Sequence, residues 1–298
     1  MSISSFDLVM WVKDGAWVLP KTLRRLEQVV PNKLVHRKIA VDDHSNDDSV
    51  KILKDFGWEI HTNPETGISS GANFALSMVD CPYFMSIEQD LLLAKNWWSQ
   101  VPCMLNDTKL GAASGVRFSD KPRAVHDLER YAYRKYLLDP QVASYLRNRK
   151  LSSLTIGKTL DNTMYRPDAI RAVGGFPRMM SGNCGIDTML VFKLQQHGYG
   201  WNVNPFCQSV HLRRGLKQIL NHQKWYALAS QEITYQLGPL GLSADDLRFG
   251  FKQSLIRLLM SPFVGTFISA RMRNPLISVV HPLIKLYNFL GYAAARTS

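Results

Sequence analysis

The chain has 298 residues, of which 46% are hydrophobic and 20% charged, and its formal net charge at pH 7 is +12. This composition is that of a globular protein and excludes a disordered or fibrous chain. The four cysteines are scattered and lack the C-x-x-C spacing of a zinc knot. The sequence therefore predicts reduced thiols in a reducing compartment.

The first ninety residues alternate between short apolar runs and helical patterns. Phe6–Val12 and Val35–Val41 are apolar runs without a helical period, which predicts buried strands. Between them, Pro20–Val30 places leucines and valines at helical spacing after a proline, which predicts a helix. Together they predict a β-α-β unit. The same pattern predicts, in order, the helix Asp48–Phe56, the strand Trp58–Thr62, the helix Ser70–Val79 and the strand Tyr83–Ile87.

This alternation predicts an α/β fold with a doubly wound, mostly parallel sheet, whose ligands bind at the carboxyl ends of the strands. Beyond Trp97 the pattern becomes irregular. The sequence predicts a strand over Leu110–Val116, a basic helical insertion over Ala124–Leu146, a strand over Leu154–Tyr165, and helices over Pro167–Val173 and Asp187–His197. We expect one catalytic domain over residues 1–215 and a helical, basic C-terminal appendage over residues 216–298.

The C-terminal region is basic and apolar. Leu247–Ser298 contains seven Lys or Arg residues and neither Asp nor Glu. Its apolar stretches, Leu255–Ile268 and Leu276–Ala295, are interrupted by prolines and cations, so neither reads as a clean span of about 20 apolar residues. This composition favours helices that lie in a membrane interface and attract anionic headgroups. A helical hairpin packed on the domain or in a dimer remains the alternative.

Three segments carry residues suited to chemistry. Val41–Ser49 reads VDDHSNDDS, Ile87–Asp90 reads IEQD, and Tyr165–Arg214 contains a Gly-Gly-Phe turn, an aspartate that opens a helical run, and a histidine that closes a strand-like run. In this order and at these separations they resemble the family 2 glycosyltransferases of glycosyltransferase-A fold. The resemblance covers Phe6–Arg214 and leaves the C-terminal quarter unexplained.

The resemblance implies a divalent cation site. Glu88 and Asp90 stand at the position of the family's D-x-D motif, with Asp90 as the direct ligand and Glu88 replacing the usual first aspartate. His211 is the candidate third ligand, and its imidazole favours Mn²⁺ over Mg²⁺. The plainer interpretation is a solvated acidic turn and a structural histidine.

The resemblance also places the nucleotide. Asp42 or Asp43 is expected to contact the base or ribose, because a carboxylate accepts hydrogen bonds from ring N–H groups and hydroxyls. Lys13, Gly71 and Glu88 are expected beside the nucleotide as well. Ala72 stands where the family usually has an arginine, and Lys13 is the candidate replacement for that charge. The polar residues after Asp43 are also suited to capping the next helix.

Asp187 is the candidate general base, since inverting transfer needs a carboxylate to take the proton of the attacking hydroxyl. The alternative is an aspartate that only stabilises a helix N-terminus, worth about 0.3–1 kcal/mol. The family's Glu-Asp pair is Ile186-Asp187 here, so the aspartate is kept.

The sequence thus predicts a metal-dependent inverting glycosyltransferase that moves a sugar from a nucleotide-sugar donor to a lipid-linked or cell-surface glycan acceptor. We expect no secretory signal, because the N-terminus lacks a basic stretch ahead of its apolar run, and the basic C-terminal region favours peripheral attachment to the cytoplasmic face of a membrane. A nucleotidyltransferase acting on sugar phosphates is one alternative, although Val9–Pro20 lacks its Gly-rich, basic phosphate loop. The other alternative is a non-enzymatic basic protein that binds membrane or nucleic acid. That alternative explains the positive charge but not the ordered acidic positions. We do not expect nucleic acid as a partner.

Overall fold

The computed structural model describes residues 3–139, 156–179, 184–238 and 250–294. Within these ranges the chain forms two compact units. The sheet unit is built from residues up to Arg117, from Gly157–Arg178 and from Ile186–Leu212. The helical unit contains the remaining described residues. It therefore includes residues 118–139 as well as the C-terminal region. The predicted division at residue 215 stays a prediction.

The strands are β1 (Phe6–Val12), β2 (Val35–Asp42), β3 (Glu59–Thr62), β4 (Phe84–Ser86), β5 (Leu91–Leu92), β6 (Leu110–Ser119), β7 (Thr163–Tyr165) and β8 (Gly200–His211). In the described part of the chain they form one sheet in the order β3-β2-β1-β4-β7-β6-β8-β5. Strand β1 pairs in parallel with β2 and β4, and β2 pairs in parallel with β3. Strand β7 runs antiparallel to β4 and β6, and β5 runs antiparallel to β8.

The helices are α1 (Leu19–Val29), α2 (Ser49–Asp55), α3 (Ile68–Met78), α4 (Trp97–Gln100), α5 (Arg123–Tyr133), α6 (Pro167–Ala172), α7 (Ile186–Gln196), α8 (Leu216–Leu237), α9 (Phe251–Met272) and α10 (Ile277–Ala294). The alternation of strands and helices predicted up to residue 87 is confirmed, with boundaries that differ by one or two residues. The short elements β5 and α4 were not predicted.

Two predictions for the middle of the chain need correction. The predicted strand Leu154–Tyr165 is too long, because only Thr163–Tyr165 is extended in a strand. The preceding residues turn instead, with Asn162 in the left-handed region at φ 64°. The predicted helix Ala124–Leu146 ends as an α-helix at Tyr133 and continues as a π-helical turn to Leu138. Residues 140–146 and 154–155 lie outside the described residues.

Every residue of β1 is buried, which is expected for a strand with parallel neighbours on both sides. Asp7 is an acidic residue in this strand and has no exposed surface. Its Oδ2 accepts the N–H groups of Asp80 at 2.9 Å and Cys81 at 3.2 Å, and its Oδ1 hydrogen-bonds Nδ1 of His36 at 3.0 Å. The carboxylate thereby ties the loop before β4 to β1 and β2.

The helical unit has its own apolar core. Buried side chains from α5, α8, α9 and α10 form it: Ala124, Val125, Ile219, Ile268, Ile277 and Val280. Among the described helices, α9 is long and apolar enough to cross a membrane, by length and composition, and 22% of its most apolar 18 residues are buried.

Asp7→Ala should lower the free energy of unfolding by about 3 kcal/mol, because each buried donor left without a partner costs roughly 1–3 kcal/mol. The matched control is Asp80→Ala, whose side chain is 70% exposed and pairs with Arg37 at the surface. That change should cost less than about 1 kcal/mol. Urea denaturation of the two variants measures the difference, and equal stabilities would show that Asp7 does not hold the loop.

Candidate active site

The carboxyl ends of β1, β2 and β4 lie side by side, because these strands are adjacent and parallel. Each strand is followed by a loop that carries predicted site residues: Lys13 after β1, Asp42 and Asp43 at the end of β2, Glu88 and Asp90 after β4. The carboxyl edge of a parallel sheet is where ligands bind in such folds. Topology alone therefore gathers residues that are up to 77 positions apart in the sequence.

Asp43 is held by three donors. Its carboxylate accepts the Gly67 N–H at 2.9 Å, the Asn63 side-chain amide at 2.8 Å and the Lys13 ammonium at 3.3 Å. Desolvation opposes ionisation, but the hydrogen bonds from Gly67, Asn63 and Lys13 outweigh it, so the pKa of Asp43 is lowered. Asp43 is therefore an ionised acceptor whose position is fixed, beside the exposed ammonium of Lys13.

Asp42 shapes the loop that follows β2. It is buried, and its carboxylate accepts the N–H of Ser45 at 3.2 Å. Of the polar residues suited to cap α2, Asp48 at the helix start makes no side-chain cap hydrogen bond. Asp47 accepts the Ser49 N–H at 3.0 Å instead. The acidic stretch thus supports its own backbone, and two of its residues also contact other loops: Asp43 through Gly67, Asn63 and Lys13, and Asp47 through the N–H of Ala16 at 2.9 Å.

Gln89 lies between the two predicted acids and was not predicted, because the motif Ile87–Asp90 was interpreted only through its carboxylates. Its Oε1 accepts the N–H of Lys13 at 2.9 Å, and its amide donates to the carbonyl oxygen of Lys13 at 2.9 Å. This two-way contact fixes the loop after β1 against the loop after β4. Gln89 therefore determines where Lys13 lies relative to the acidic pair.

His211 and Asp90 are brought together by strand pairing. Leu91 pairs with His211 in the antiparallel β5–β8 ladder, and the Leu212 N–H donates to the carbonyl oxygen of Asp90 at 2.8 Å. As a result, Nε2 of His211 lies 3.0 Å from Oδ2 of Asp90. The two residues are 121 positions apart in sequence.

Glu88 completes a cluster with these two residues. Glu88, Asp90 and His211 each offer one ligand atom, and the three atoms lie within 4.8 Å of one another. His211 is only 4% exposed, and within the described part of the chain its Nδ1 has no hydrogen-bond partner. Adjacent ligands of an octahedral ion with bonds of about 2.1 Å are about 3 Å apart, which matches the Asp90–His211 separation. The donor set of two carboxylates and one imidazole fits a divalent cation.

The Gly-Gly-Phe turn is locked onto α3. Gly174 and Gly175 have φ values of 81° and 82°, which favour glycine. Asn73 accepts the Phe176 N–H at 2.8 Å and donates to the Phe176 carbonyl at 2.8 Å. A Cβ on Gly175 would overlap Oδ1 of Asn73. The turn is therefore a rigid connection between β7–α6 and α3, ahead of the segment that carries Asp187.

Asp187 is the second residue of α7, and its Oδ1 accepts the N–H of Thr188 at 2.7 Å. Desolvation raises the pKa of Asp187, the Thr188 N–H and the charge of Arg117 oppose that shift, and the charge of Asp161 adds to it. The net result is a raised pKa. Asp161 itself is completely buried and pairs with Arg117, whose Nε lies 3.1 Å from its Oδ2.

The segment that holds Asp161 is tied to the same edge of the sheet as the acidic cluster. The carbonyl of Leu160 accepts the hydroxyl of Ser86, which lies on β4 just before the carboxylate pair. Ser209, which lies on β8 just before the imidazole, donates to Oδ1 of Asn162 at 3.2 Å. Asp161, one charged neighbour of Asp187, thus lies in a segment that is hydrogen-bonded to β4, which precedes the carboxylate pair, and to β8, which carries His211.

The predicted site residues fall into separate groups. Glu88, Asp90 and His211 form one cluster, and Lys13 and Asp43 form an ion pair. Gly71 is buried in α3, where an added Cβ would lie 3.3 Å from Cβ of Trp11. Its observed role is to let α3 pack on β1, and its contact with a nucleotide stays a prediction.

Besides Gln89, the sequence analysis missed four residues that support the site: Asn63, Asn73, Arg117 and Asp161. Two features of the sequence could have pointed to some of these residues: Asn63 directly follows a predicted strand, and Arg117 and Asp161 are charged residues beside apolar strand sequence. Neither feature names a partner, because the partners lie far away in the chain.

A family model, Glycosyl transferase family 2, matches residues 9–174, which is more than half of the chain. The chain belongs to glycosyltransferase family 2. It is therefore a glycosyltransferase, and the nucleotidyltransferase and non-enzymatic alternatives lose their support. A search among curated proteins found no match.

Solved structures confirm the glycosyltransferase-A fold. The mannosyltransferase PcManGT from Pyrobaculum calidifontis, in complex with GDP-Man and Mn²⁺, is 14% identical with a TM-score of 0.64, over 98% of this chain and 86% of that one. Glucosyl-3-phosphoglycerate synthase from Mycobacterium tuberculosis, with Mn²⁺ and UDP, is 12% identical with a TM-score of 0.53, over 80% and 81%. TarS residues 1–349 from S. aureus, with UDP-GlcNAc, is 12% identical with a TM-score of 0.51, over 98% and 92%. At sequence identities of 12–14%, the similarity to these structures shows the fold alone.

Asp90→Ala should weaken Mn²⁺ binding at least tenfold while the fold survives, because it removes a ligand that pairs with His211. Asp168→Ala is the matched control, since its side chain is 96% exposed on α6. Titration calorimetry with MnCl₂, alone and with GDP or UDP, measures the affinities. Unchanged Mn²⁺ affinity in Asp90→Ala would remove Asp90 from the site.

Proposed function

We propose that the chain is a metal-dependent, inverting glycosyltransferase that transfers a sugar from a nucleotide-sugar donor. The observation that carries this proposal is the cluster of Glu88, Asp90 and His211 at the carboxyl edge of the sheet. Two neighbours of the same fold are described in complex with a nucleotide or nucleotide sugar and Mn²⁺, which supports both the donor class and the cation.

Asp90 and His211 would hold the cation, with Glu88 beside them in the same cluster. The cation, when bound, supplies the positive charge that stabilises the leaving diphosphate. An imidazole in the donor set favours Mn²⁺ over Mg²⁺, since Mg²⁺ prefers oxygen ligands and retained water. Mn²⁺ is therefore the proposed cofactor.

Asp43 binds the nucleoside part of the donor, and Lys13 binds its diphosphate. Asp43 is ionised and fixed by Gly67 and Asn63, so its free lone pairs accept hydrogen bonds from a base N–H or ribose hydroxyls without reorganisation. Lys13 is half-exposed at 53% of its side-chain surface and lies between Asp43 and the loop of Gln89. Its ammonium is placed to move from Asp43 to a donor phosphate.

Asp187 acts as the general base. The acceptor hydroxyl attacks the sugar carbon from the side opposite the diphosphate, and Asp187 takes its proton as the new bond forms. A carboxylate with a raised pKa is a stronger base than an ordinary aspartate, because it holds the transferred proton more tightly. The proposed acceptor is a lipid-linked or cell-surface glycan precursor, and the proposed location is the cytoplasmic face of a membrane, in line with the acid-free basic C-terminal region.

Asp187→Asn should leave donor affinity within about twofold and reduce transfer by about 10²-fold or more, because the amide keeps the shape but cannot take a proton. A panel of nucleotide sugars in a thermal-shift assay with Mn²⁺ identifies the donor, since a ligand of the native state raises apparent stability. Turnover is then measured by release of the nucleoside diphosphate with and without candidate acceptors. Near-normal turnover in Asp187→Asn would contradict the assignment.

The rate of transfer should fall on the acid side as Asp187 becomes protonated. Because its pKa is raised, the fall should occur at a higher pH than the value of about 3.9 for an ordinary aspartate. The pH dependence of kcat in the wild type should show this limb, and Asp187→Asn should lack it. A limb that persists unchanged in the variant belongs to another group.

A further inference from the structure

Helix α9 exposes large apolar side chains along one face. Ile256, Leu259, Met260, Phe263 and Phe267 follow each other at intervals of three or four residues, and they are 51%, 65%, 51%, 73% and 60% exposed. Residues at these intervals lie on one side of a helix. We refer to these five residues as the apolar stripe. A water-soluble helix normally turns such a face towards the core.

The opposite face of α9 is buried and consists largely of small or polar residues. Ser254, Ser261 and Gly265 are buried there. The Ser254 hydroxyl hydrogen-bonds Oδ1 of Asn288 on α10 at 3.2 Å, and the Ser261 carbonyl hydrogen-bonds Nδ1 of His281 on α10 at 3.1 Å. The polarity of the helix is therefore inverted, with hydroxyl groups inside and aromatic rings outside.

The contact between α9 and α10 is close because a glycine lies in it. A Cβ on Gly265 would be 3.3 Å from Cβ of His281 and 3.4 Å from Cδ of Pro282. Leu276, just before α10, and Val279 and Leu290 on α10 are 61%, 59% and 40% exposed. Small residues at the helix contact, polar side chains bonding between helices and apolar side chains outside are how helices pair in lipid.

The positive charge around the apolar stripe favours a lipid surface with anionic headgroups. Residues 250–294 contain five Lys or Arg residues and neither Asp nor Glu. Lys252, Arg257, Arg271 and Arg273 are exposed, near the two ends of α9 or on its flank. Exposed cations around an apolar helix face match a surface of anionic headgroups above acyl chains. A second copy of this chain would bring the same cations together, and a soluble protein would need a complementary acidic rim.

We propose that the apolar stripe of α9 lies in an anionic lipid bilayer, at the boundary between headgroups and acyl chains, with the helix axis in the membrane plane. The in-plane position follows because the other face of α9 stays packed in the core of the helical unit through Ile268. This inference deepens the proposed membrane attachment and rests on it, and it gives that attachment a defined surface.

The test is flotation of the full chain with vesicles of phosphatidylcholine, with and without phosphatidylglycerol. Wild type should float with the anionic vesicles, and high salt should weaken but not abolish binding, because apolar insertion is not screened. The variant L259S/F263S/F267S should bind at least tenfold more weakly. The control variant F206S/L228S/Y235S removes three exposed apolar side chains elsewhere, 69%, 37% and 85% exposed, and should bind like wild type.

Equal vesicle binding by the stripe variant and wild type would overturn the proposal, as would the absence of wild-type binding. Self-association of lipid-free wild type that the stripe variant loses, without vesicle binding, would assign the stripe to a second copy. If circular dichroism shows that the triple variant misfolds, the single variant Phe263→Trp is tested with vesicles of brominated lipids. Insertion of the stripe predicts that the bromine atoms quench the fluorescence of the added tryptophan, and the absence of quenching would overturn the proposal. Asp90→Ala should bind anionic vesicles like wild type although it is inactive, and the stripe variant should still hydrolyse the donor. The two measurements therefore distinguish a failure of the membrane proposal from a failure of the proposed catalytic function.

Discussion

The proposed chemistry depends on the contact between Asp90 and His211. A two-residue strand, Leu91–Leu92, pairs with the end of β8 and thereby places an imidazole 3.0 Å from a carboxylate. Without that pairing, the acidic loop after β4 would be only an acidic turn, and His211 would be one more buried histidine. The unpartnered Nδ1 of His211, seen within the described residues, indicates that the ring is held chiefly by its strand and by Asp90.

Two of the predicted site aspartates, Asp43 and Asp187, have environments that shift their pKa values in opposite directions. The pKa of Asp43 is lowered, because hydrogen bonds from three donors outweigh the desolvation of its carboxylate. The pKa of Asp187 is raised, because desolvation and the charge of Asp161 outweigh the effects of Thr188 and Arg117. Such a separation assigns different tasks to chemically identical groups. Asp43 suits a permanent acceptor for a nucleoside, and Asp187 suits a group that takes up a proton during the reaction.

The sequence predicted the parallel half of the sheet, because the periods of β1, β2 and their helices are local properties of the chain. It also indicated Asp90, Asp187 and His211, since the resemblance depends on short motifs at recognisable separations. It could not reveal the partners that hold them. Gln89 acts through a backbone contact with a different loop, and the Arg117–Asp161 pair is formed by segments 44 residues apart. Such supports depend on tertiary proximity, which no local pattern encodes.

The most direct test of the account is anomalous diffraction at the manganese edge from crystals grown with Mn²⁺ and a nucleoside diphosphate. The account predicts a single strong peak about 2–2.5 Å from an oxygen of Asp90 and from Nε2 of His211, with diphosphate oxygens completing the coordination. A manganese peak elsewhere on the molecule, or a diphosphate bound at the β1–β2–β4 edge without an ion between Asp90 and His211, would contradict it.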